Sequence, residues 1–201
     1  MIRLETPADR HEVEHLTREA FWNVYRPGCM EHYVLHVLRT DPAFVPELDY
    51  VTEEEGRIIA HIAYARGTLK TGDGSRDMLL FGPVSVLPSE QGKGHGGRLI
   101  RFTLDRAKEL GYPAVVITGS PDYYGRFGFE PASKYGILYE GMDPAEDCPF
   151  FMVKFLDDAA AGTIRGVYSD PPCYFVDPGK VEEFDRQFPP KIKEKRPGQL
   201  E

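Results

Sequence analysis

The sequence predicts an α/β (α+β) fold: a mixed central sheet with an antiparallel N-terminal meander and a βαβ unit, flanked by helices. Three observations carry this expectation. Two turn signals, Glu54-Glu55-Gly56 and Gly72-Asp73-Gly74, separate strand-like runs and favour antiparallel pairing. A glycine-rich stretch then enters an amphipathic segment that stops at Gly111, a residue suited to closing a helix. Ala114–Thr118, short, apolar and β-branched, follows as a strand fit for burial on both faces.

In chain order, residues 2–5 alternate as a short strand, and Thr6-Pro7-Ala8-Asp9 reads as a turn with a helix start. Val13, Leu16, Thr17, Ala20, Phe21 and Val24 then share one helical face, and Pro27-Gly28 ends the segment. A second helix over about Met30–Arg39 groups Met30, Val34, Val37 and Leu38. Strands are expected over Leu48–Glu53, Arg57–Lys70 and Met78–Leu87. Gly82-Pro83 within the last of these points to an edge or a bulge, because proline cannot donate to a ladder. A helix over about Gly97–Leu110 completes a right-handed βαβ unit with Ala114–Thr118. Beyond it come a tyrosine-rich segment (Asp122–Phe127), strands near Lys134–Tyr139 and Phe150–Phe155, and a helix from Pro178 to about Gln187. The expected organisation is a core over 1–155, an extension over 156–190 packed on it, and a charged, aperiodic, mobile tail over 191–201.

Composition excludes several classes. With 24 Lys+Arg against 32 Asp+Glu the net charge is −8, which argues against a general nucleic-acid binder. No apolar run approaches the roughly 18–20 residues of a membrane span. The N-terminal MIRLETPADR lacks the apolar core of a secretory signal, and Cys29, Cys148 and Cys173 form no CxxC pair. A cytoplasmic, reducing location is the expectation. The charge is also uneven. Gln91–Glu109 carries five basic residues (Lys93, Arg98, Arg101, Arg106, Lys108) against two acidic ones, a basic island in an acidic chain. Lys191–Glu201 carries four basic residues against two acidic.

Two familiar patterns fail on their context. His11-Glu12-Val13-Glu14-His15 fits HExxH, the zinc-protease helix signature. On a helical wheel both histidines oppose the Val13/Leu16/Ala20/Val24 face, on the solvent side, with no third ligand in view. His32 and His36 likewise oppose the apolar face of their helix, and no metal site is expected. Gly92-Lys93-Gly94-His95-Gly96-Gly97 fits GxGxxG, yet it begins four residues past its strand and no second βαβ half follows. Arg98 after Gly97 also breaks the Walker A form.

What the glycine loop retains is physical. Glycines entering a helix let successive N–H groups point at one anion, backed by the helix dipole and by the basic island beside it. The loop is therefore a candidate phosphate cradle.

The stretch from Val84 to Gly96, with Gln91-x-x-Gly94-x-Gly96 at its heart, resembles motif A (Q/R-x-x-G-x-G/A) of the GCN5-related N-acetyltransferases, the GNAT superfamily. Ala114–Thr118 with Tyr123-Tyr124-Gly125-Arg126-Phe127-Gly128-Phe129 resembles the family's motif B, where a tyrosine lies five residues before the final phenylalanine. Order and spacing agree with the family from residue 2 to about 155.

The resemblance implies a GNAT fold with the βαβ unit as its cofactor unit, and acetyl-CoA as co-substrate without a metal. The pyrophosphate would lie on Gln91, Gly92, Lys93, Gly94, His95, Gly96 and Gly97, and the pantetheine arm would pair with Val84, Ser85 and Val86. The amide of Val84, or a neighbour, would polarise the acetyl carbonyl, and Tyr124 would protonate the departing thiolate. Tyr124 has an alternative reading, a core aromatic beside Phe127 and Phe129. Some family members carry a glutamate four residues before the position of Val84; here that residue is Leu80, so no general base is named. His61, on an expected strand, reads as an ordinary hydrogen-bonded histidine. The implied activity is acetyl transfer to a primary amine of a small molecule or protein, the alternative being a non-catalytic acyl-CoA-binding sensor or interaction module. The extension could cover a sheet edge, cap the cleft or form a homodimer contact, with Tyr168, Tyr174 and Phe175 as an apolar patch for any of these, plain core packing being the default reading of those residues.

Overall fold

A computed structural model describes residues 1–143, 145–146 and 148–199. The elements run β1 (Ile2–Leu4), α1 (Arg10–Phe21), α2 (Glu31–Leu38), β2 (Tyr50–Glu54), β3 (Arg57–Thr71), β4 (Gly74–Val86), α3 (His95–Glu109), β5 (Ala114–Thr118), α4 (Pro121–Tyr124), β6 (Glu130–Pro131), β7 (Ile137–Tyr139), β8 (Phe151–Phe155), β9 (Gly166–Ser169) and α5 (Pro178–Asp185). They form two compact units. The first holds Met1–Ala63, Pro83–Ile100 and the segment from Pro172 onward; the second holds Tyr64–Gly82 and Arg101–Pro171. Strands β3 and β4 and helix α3 each contribute residues to both.

In the first unit β1, β2 and the start of β3 form the expected meander, with Leu4 opposite Tyr50 and Val51 opposite His61. Helices α1 and α2 pack on each other, burying Val13 and Leu16 with Leu35 and Leu38. Helix α1 ends earlier than its apolar pattern suggests. Asn23 takes a left-handed backbone (φ 58°) just past it, and Val24 is left exposed.

The helical faces need correction. His32 is fully buried rather than solvated, because α5 covers the side of α2 that the wheel leaves to water. Its ring lies 5.5 Å from Phe184 and 5.6 Å from Phe188. His36 is exposed, yet it bonds Glu14 Oε1 at 2.9 Å and packs on Phe184. His11 and His15 both stack on Phe188, at 5.3 and 6.0 Å. Residues 191–199 carry no helix or strand but lie against the end of α1. Trp22 Nε1 and Asn23 Nδ2 donate to the Ile192 carbonyl, Asn23 Oδ1 accepts from the Glu194 amide, and Lys191 pairs with Glu19. The last two residues of the expected tail over 191–201, Leu200 and Glu201, lie outside the described residues.

In the second unit β4 and β5 run parallel, Leu79 opposite Val115 and Leu80 opposite Val116, which closes the βαβ unit with α3. Strand β4 lies between β3 and β5 in the sheet order, but its described pairing with β5 is confined to Leu79 and Leu80. Gly82-Pro83 stands just past these last β4–β5 partners, where Gly82 adopts φ 152°, a conformation reserved for glycine. Strand β5 also pairs with β8 along its whole length, which explains why Ala114–Thr118 is so uniformly apolar. The segment near Lys134 forms a 3-10 turn before β7 rather than a continuous strand. Strand β9, from the expected extension, pairs with β3 and β7 and buries Tyr168 against Gly67, where no side chain would fit.

Candidate functional site

In the first unit, Val84, Ser85 and Val86 close β4 with alternating burial. The Ser85 side chain turns inward and donates to Thr17 Oγ1 of α1 at 2.9 Å. A 3-10 turn over Pro88–Glu90 leads into the loop, and Gln91 Nε2 ties it back to the Val86 carbonyl at 3.1 Å.

Gly92 and Gly94 take φ of 78° and 85°. A Cβ would meet nothing within 4 Å at Gly92 and only Arg98 Nη1, at 3.7 Å, at Gly94. These glycines are required by backbone conformation and not by lack of room. Helix α3 begins at His95, two residues earlier than expected, so Gly96 and Gly97 sit in its first turn. The amides from Gly92 to Gly97 thus lie at a helix N-terminus, the arrangement that binds phosphate.

The charges around the loop are partly paired. Lys93 Nζ lies 2.9 Å from Glu90, Arg98 Nη2 bonds His95 Nδ1 at 2.8 Å, and Glu54 and Glu90 lie 3.5 and 3.6 Å from the His95 ring. The Lys93–Glu90 pair is solvated, so it is weak and can exchange for a polyanion, whereas the His95 ring is buried.

In the second unit, Tyr124 ends α4. Its ring packs edge-on against Phe81 and Phe129, at 5.9 and 6.0 Å, and close to Tyr123 and Phe127. A Cβ on Gly119 would lie 2.4 Å from the Tyr124 ring, so that glycine makes room for it. The ring is half-buried, and the aromatic surroundings match the core-packing alternative as well as a positioned acid. Arg101 and Arg126 stack on Phe127, at 4.9 and 5.4 Å, so part of the basic island is engaged in cation–π contacts.

Sequence reasoning missed a charged cluster in the first unit. His61 Nε2 lies 2.7 Å from Asp49 Oδ1, both buried. Glu5 joins them, its carboxylate gripped by Arg39, whose Nη1 also bonds Glu14 at 2.7 Å. Burial and the neighbouring Asp49 push Glu5 up to about 7, and burial pushes Asp49 up as well. Burial pulls His61 down to about 3, so the ring is neutral. Glu5, Asp49 and His61 each offer a ligand atom within 4.8 Å of the others, but Arg39 holds both Glu5 oxygens, and a cation would have to displace it. The signal for the cluster lay in the β2–β3 register, which brings Asp49 diagonally beside His61.

A second grouping has the composition of a nucleophile triad: Cys29 Sγ lies 3.3 Å from His32 Nδ1, and His32 Nε2 lies 3.1 Å from Asp185. Burial, with Glu31 and Asp185 nearby, holds the Cys29 thiol far above its usual range, so it stays protonated and structural.

The fold is one shared with known acetyltransferases. Residues 1–132 match the model of the acetyltransferase (GNAT) domain. The uncharacterized N-acetyltransferase YhbS of Escherichia coli is 30% identical over 162 residues, covering 81% of this chain and 91% of YhbS. YjhQ of the same organism, also an uncharacterized N-acetyltransferase, is 36% identical over 96 residues, and the chain spans about half (53%) of its length. Among solved structures, YhbS in complex with CoA superposes with a TM-score of 0.74 at 28% identity, covering 87% of this chain and 91% of that one. A Brucella melitensis GNAT acetyltransferase in complex with acetyl-CoA gives 0.68 at 28% identity, covering 87% and 97%. The chain belongs to the GNAT acetyltransferase family. Among its described residues no helix is long and apolar enough to cross a membrane.

Proposed function

We propose that this protein is an acetyl-CoA-dependent N-acetyltransferase that passes the acetyl group directly to a primary amine of a small molecule or protein. The observation that carries this is the loop Gln91–Gly97. Two left-handed glycines at a helix N-terminus suit its amides to an anion, and two similar proteins of the family were solved with CoA and acetyl-CoA.

In this reading the pyrophosphate rests on Gly92–Gly97, with Gln91 bracing the loop and Lys93 exchanging Glu90 for phosphate. Val84–Val86 offer backbone groups to the pantetheine arm. The Val84 amide polarises the thioester carbonyl, which stabilises the oxyanion formed when the amine attacks. Tyr124 donates the proton that the CoA thiolate takes as it leaves. The acidic body of the chain favours cationic acceptors through a salt-sensitive attraction.

Tyr124→Phe tests the assignment. Acetyl-CoA binding followed by thermal shift should persist while acetyl transfer falls on the order of a hundredfold or more. A wild-type protein that binds acetyl-CoA but acetylates no amine would instead be the binding module.

A further inference from the structure

The reaction must dispose of a proton. An ammonium R–NH3⁺ becomes an amide R–NH–COCH3, so two protons leave nitrogen. One ends on the CoA thiol, and the other must reach a base and then bulk water. Among the described residues assigned to the proposed site, Val84–Val86, Gln91–Gly97 and Tyr124, none has been given that second proton.

We infer that the buried Asp49–His61–Glu5 cluster is the proton acceptor, reached through a water at His61 Nδ1. This rests on the acetyltransferase reading above, and three observations carry it. First, His61 Nδ1 is buried and has no hydrogen-bond partner among the described residues, whereas Nε2 is committed to Asp49 at 2.7 Å. A neutral ring that donates from Nε2 to a carboxylate presents its lone pair at Nδ1. A buried polar atom without a partner calls for an explanation, and a water or a catalytic role is the usual one. Second, the ring stands beside the proposed cofactor strand. The Leu87 amide donates to the Ile59 carbonyl at 2.9 Å, and carrying that register along the β3–β4 hairpin sets His61 across from Ser85. Cross-strand neighbours have Cβ atoms about 5 Å apart and share a face. Ser85 is the middle residue of the Val84–Val86 stretch. Third, the cluster can store the proton. Glu5, Asp49 and Glu14 face a single buried guanidinium, Arg39, which leaves excess negative charge.

The step balances without an added reagent. The water takes a proton from the ammonium and gives one to Nδ1. The imidazole passes its Nε2 proton to Asp49, which shares it with Glu5. The ring acts as a relay and the carboxyl pair as the store, which agrees with a ring held neutral and a Glu5 pushed up to about 7. Asp49 is thus also a positioning residue for the ring. The charged and titratable groups facing the cluster are Glu5 just after β1, Asp9, Arg10 and Glu14 around α1, His36 on α2, Arg39 after α2, and Asp49 before β2.

Two readouts test this. The ¹⁵N spectrum of His61 should show an unprotonated Nδ1 at pH 8; a proton on Nδ1 overturns the inference without any acceptor being known. The second is kcat against pH at saturating acetyl-CoA, with spermidine, 2-phenylethylamine and an alanyl peptide as probe amines. Wild type should lose rate as pH falls through about 7, following the carboxyl pair. His61→Gln should fall about a hundredfold and lose that limb while keeping the thermal shift with acetyl-CoA. Asp49→Asn, a nearly isosteric change, serves as the second variant should His61→Gln fail to fold, with the same expectation. Variants that turn over within about threefold of wild type, with the limb intact, overturn the inference and leave the transferase reading standing. A wild type that binds acetyl-CoA and acetylates none of the probes overturns both.

Discussion

Arg18 of α1 and Asp185 of α5, 167 residues apart in sequence, meet in a two-point ion pair, Nε to Oδ1 at 2.6 Å and Nη2 to Oδ2 at 3.0 Å. The guanidinium is wholly buried beneath Phe188 and over the Trp22 ring. This pair fastens the C-terminal helix to the N-terminal helices. Removing one partner strands a buried charge, which typically costs about 3–5 kcal/mol. Asp185→Ala should therefore lower unfolding stability in urea by about that amount. The double replacement Arg18→Met with Asp185→Leu should recover most of it, since an apolar pair of similar volume removes the unpaired charge.

Gly119 is the contact point for Tyr124, and alanine there would place a methyl 2.4 Å from the ring. Overpacking of this kind costs about 1–3 kcal/mol. Gly119→Ala should lose acetyl transfer by displacing Tyr124, while acetyl-CoA still raises the thermal midpoint. Gly125→Ala, where the methyl meets nothing within 4 Å, is the control and should leave both properties near wild type.

The loop offers a separate test of backbone conformation. Gly94 has room for a methyl but sits at φ 85°, where an alanine is strained by roughly 1–2 kcal/mol. Relaxation of that strain would turn amides away from the phosphate. Gly94→Ala should weaken acetyl-CoA binding about tenfold in calorimetry, which corresponds to about 1.4 kcal/mol.

His32 makes stability depend on pH. Burial between α2 and α5 holds its imidazolium down to about 4, below the usual histidine value, despite Asp185 nearby. The unfolded chain therefore takes the proton first. The stability from a neutral His32 is full above about 6.5 and is lost as pH falls through about 4. His32→Gln should flatten the change in urea stability between pH 7 and 4.5 by about 2 kcal/mol. A slope equal to wild type would mean the ring is solvated. Glu5, pushed up to about 7, works in the opposite sense, its stabilisation fading as pH rises through that value.

Much of the fold was legible because local signals and tertiary demands coincide. Ala114–Thr118 forms a strand with those bounds, since a β-branched run between two pairing strands satisfies both propensity and burial. The GxGxxG-like loop was legible for the same reason: left-handed glycines at a helix start leave a direct trace in composition. The α2 face was not. A helical wheel ranks residues by polarity, and nothing local reports that Phe184 and Phe188 arrive from the far end of the chain to cover His32. The Asp49–His61 contact was hidden for a related reason, since it depends on strand register, which hydrophobic pattern alone does not specify to the residue.

The thermal unfolding midpoint measured across a titration of acetyl-CoA tests the central claim most directly. A ligand that binds only the native state stabilises it by about 2.7 kcal/mol at a hundred times its dissociation constant, and the gain keeps growing with the logarithm of concentration. For a chain of this size the predicted result is a rise of roughly 5–10 °C at that excess, still climbing. A midpoint that does not move with acetyl-CoA up to millimolar concentration would contradict the account.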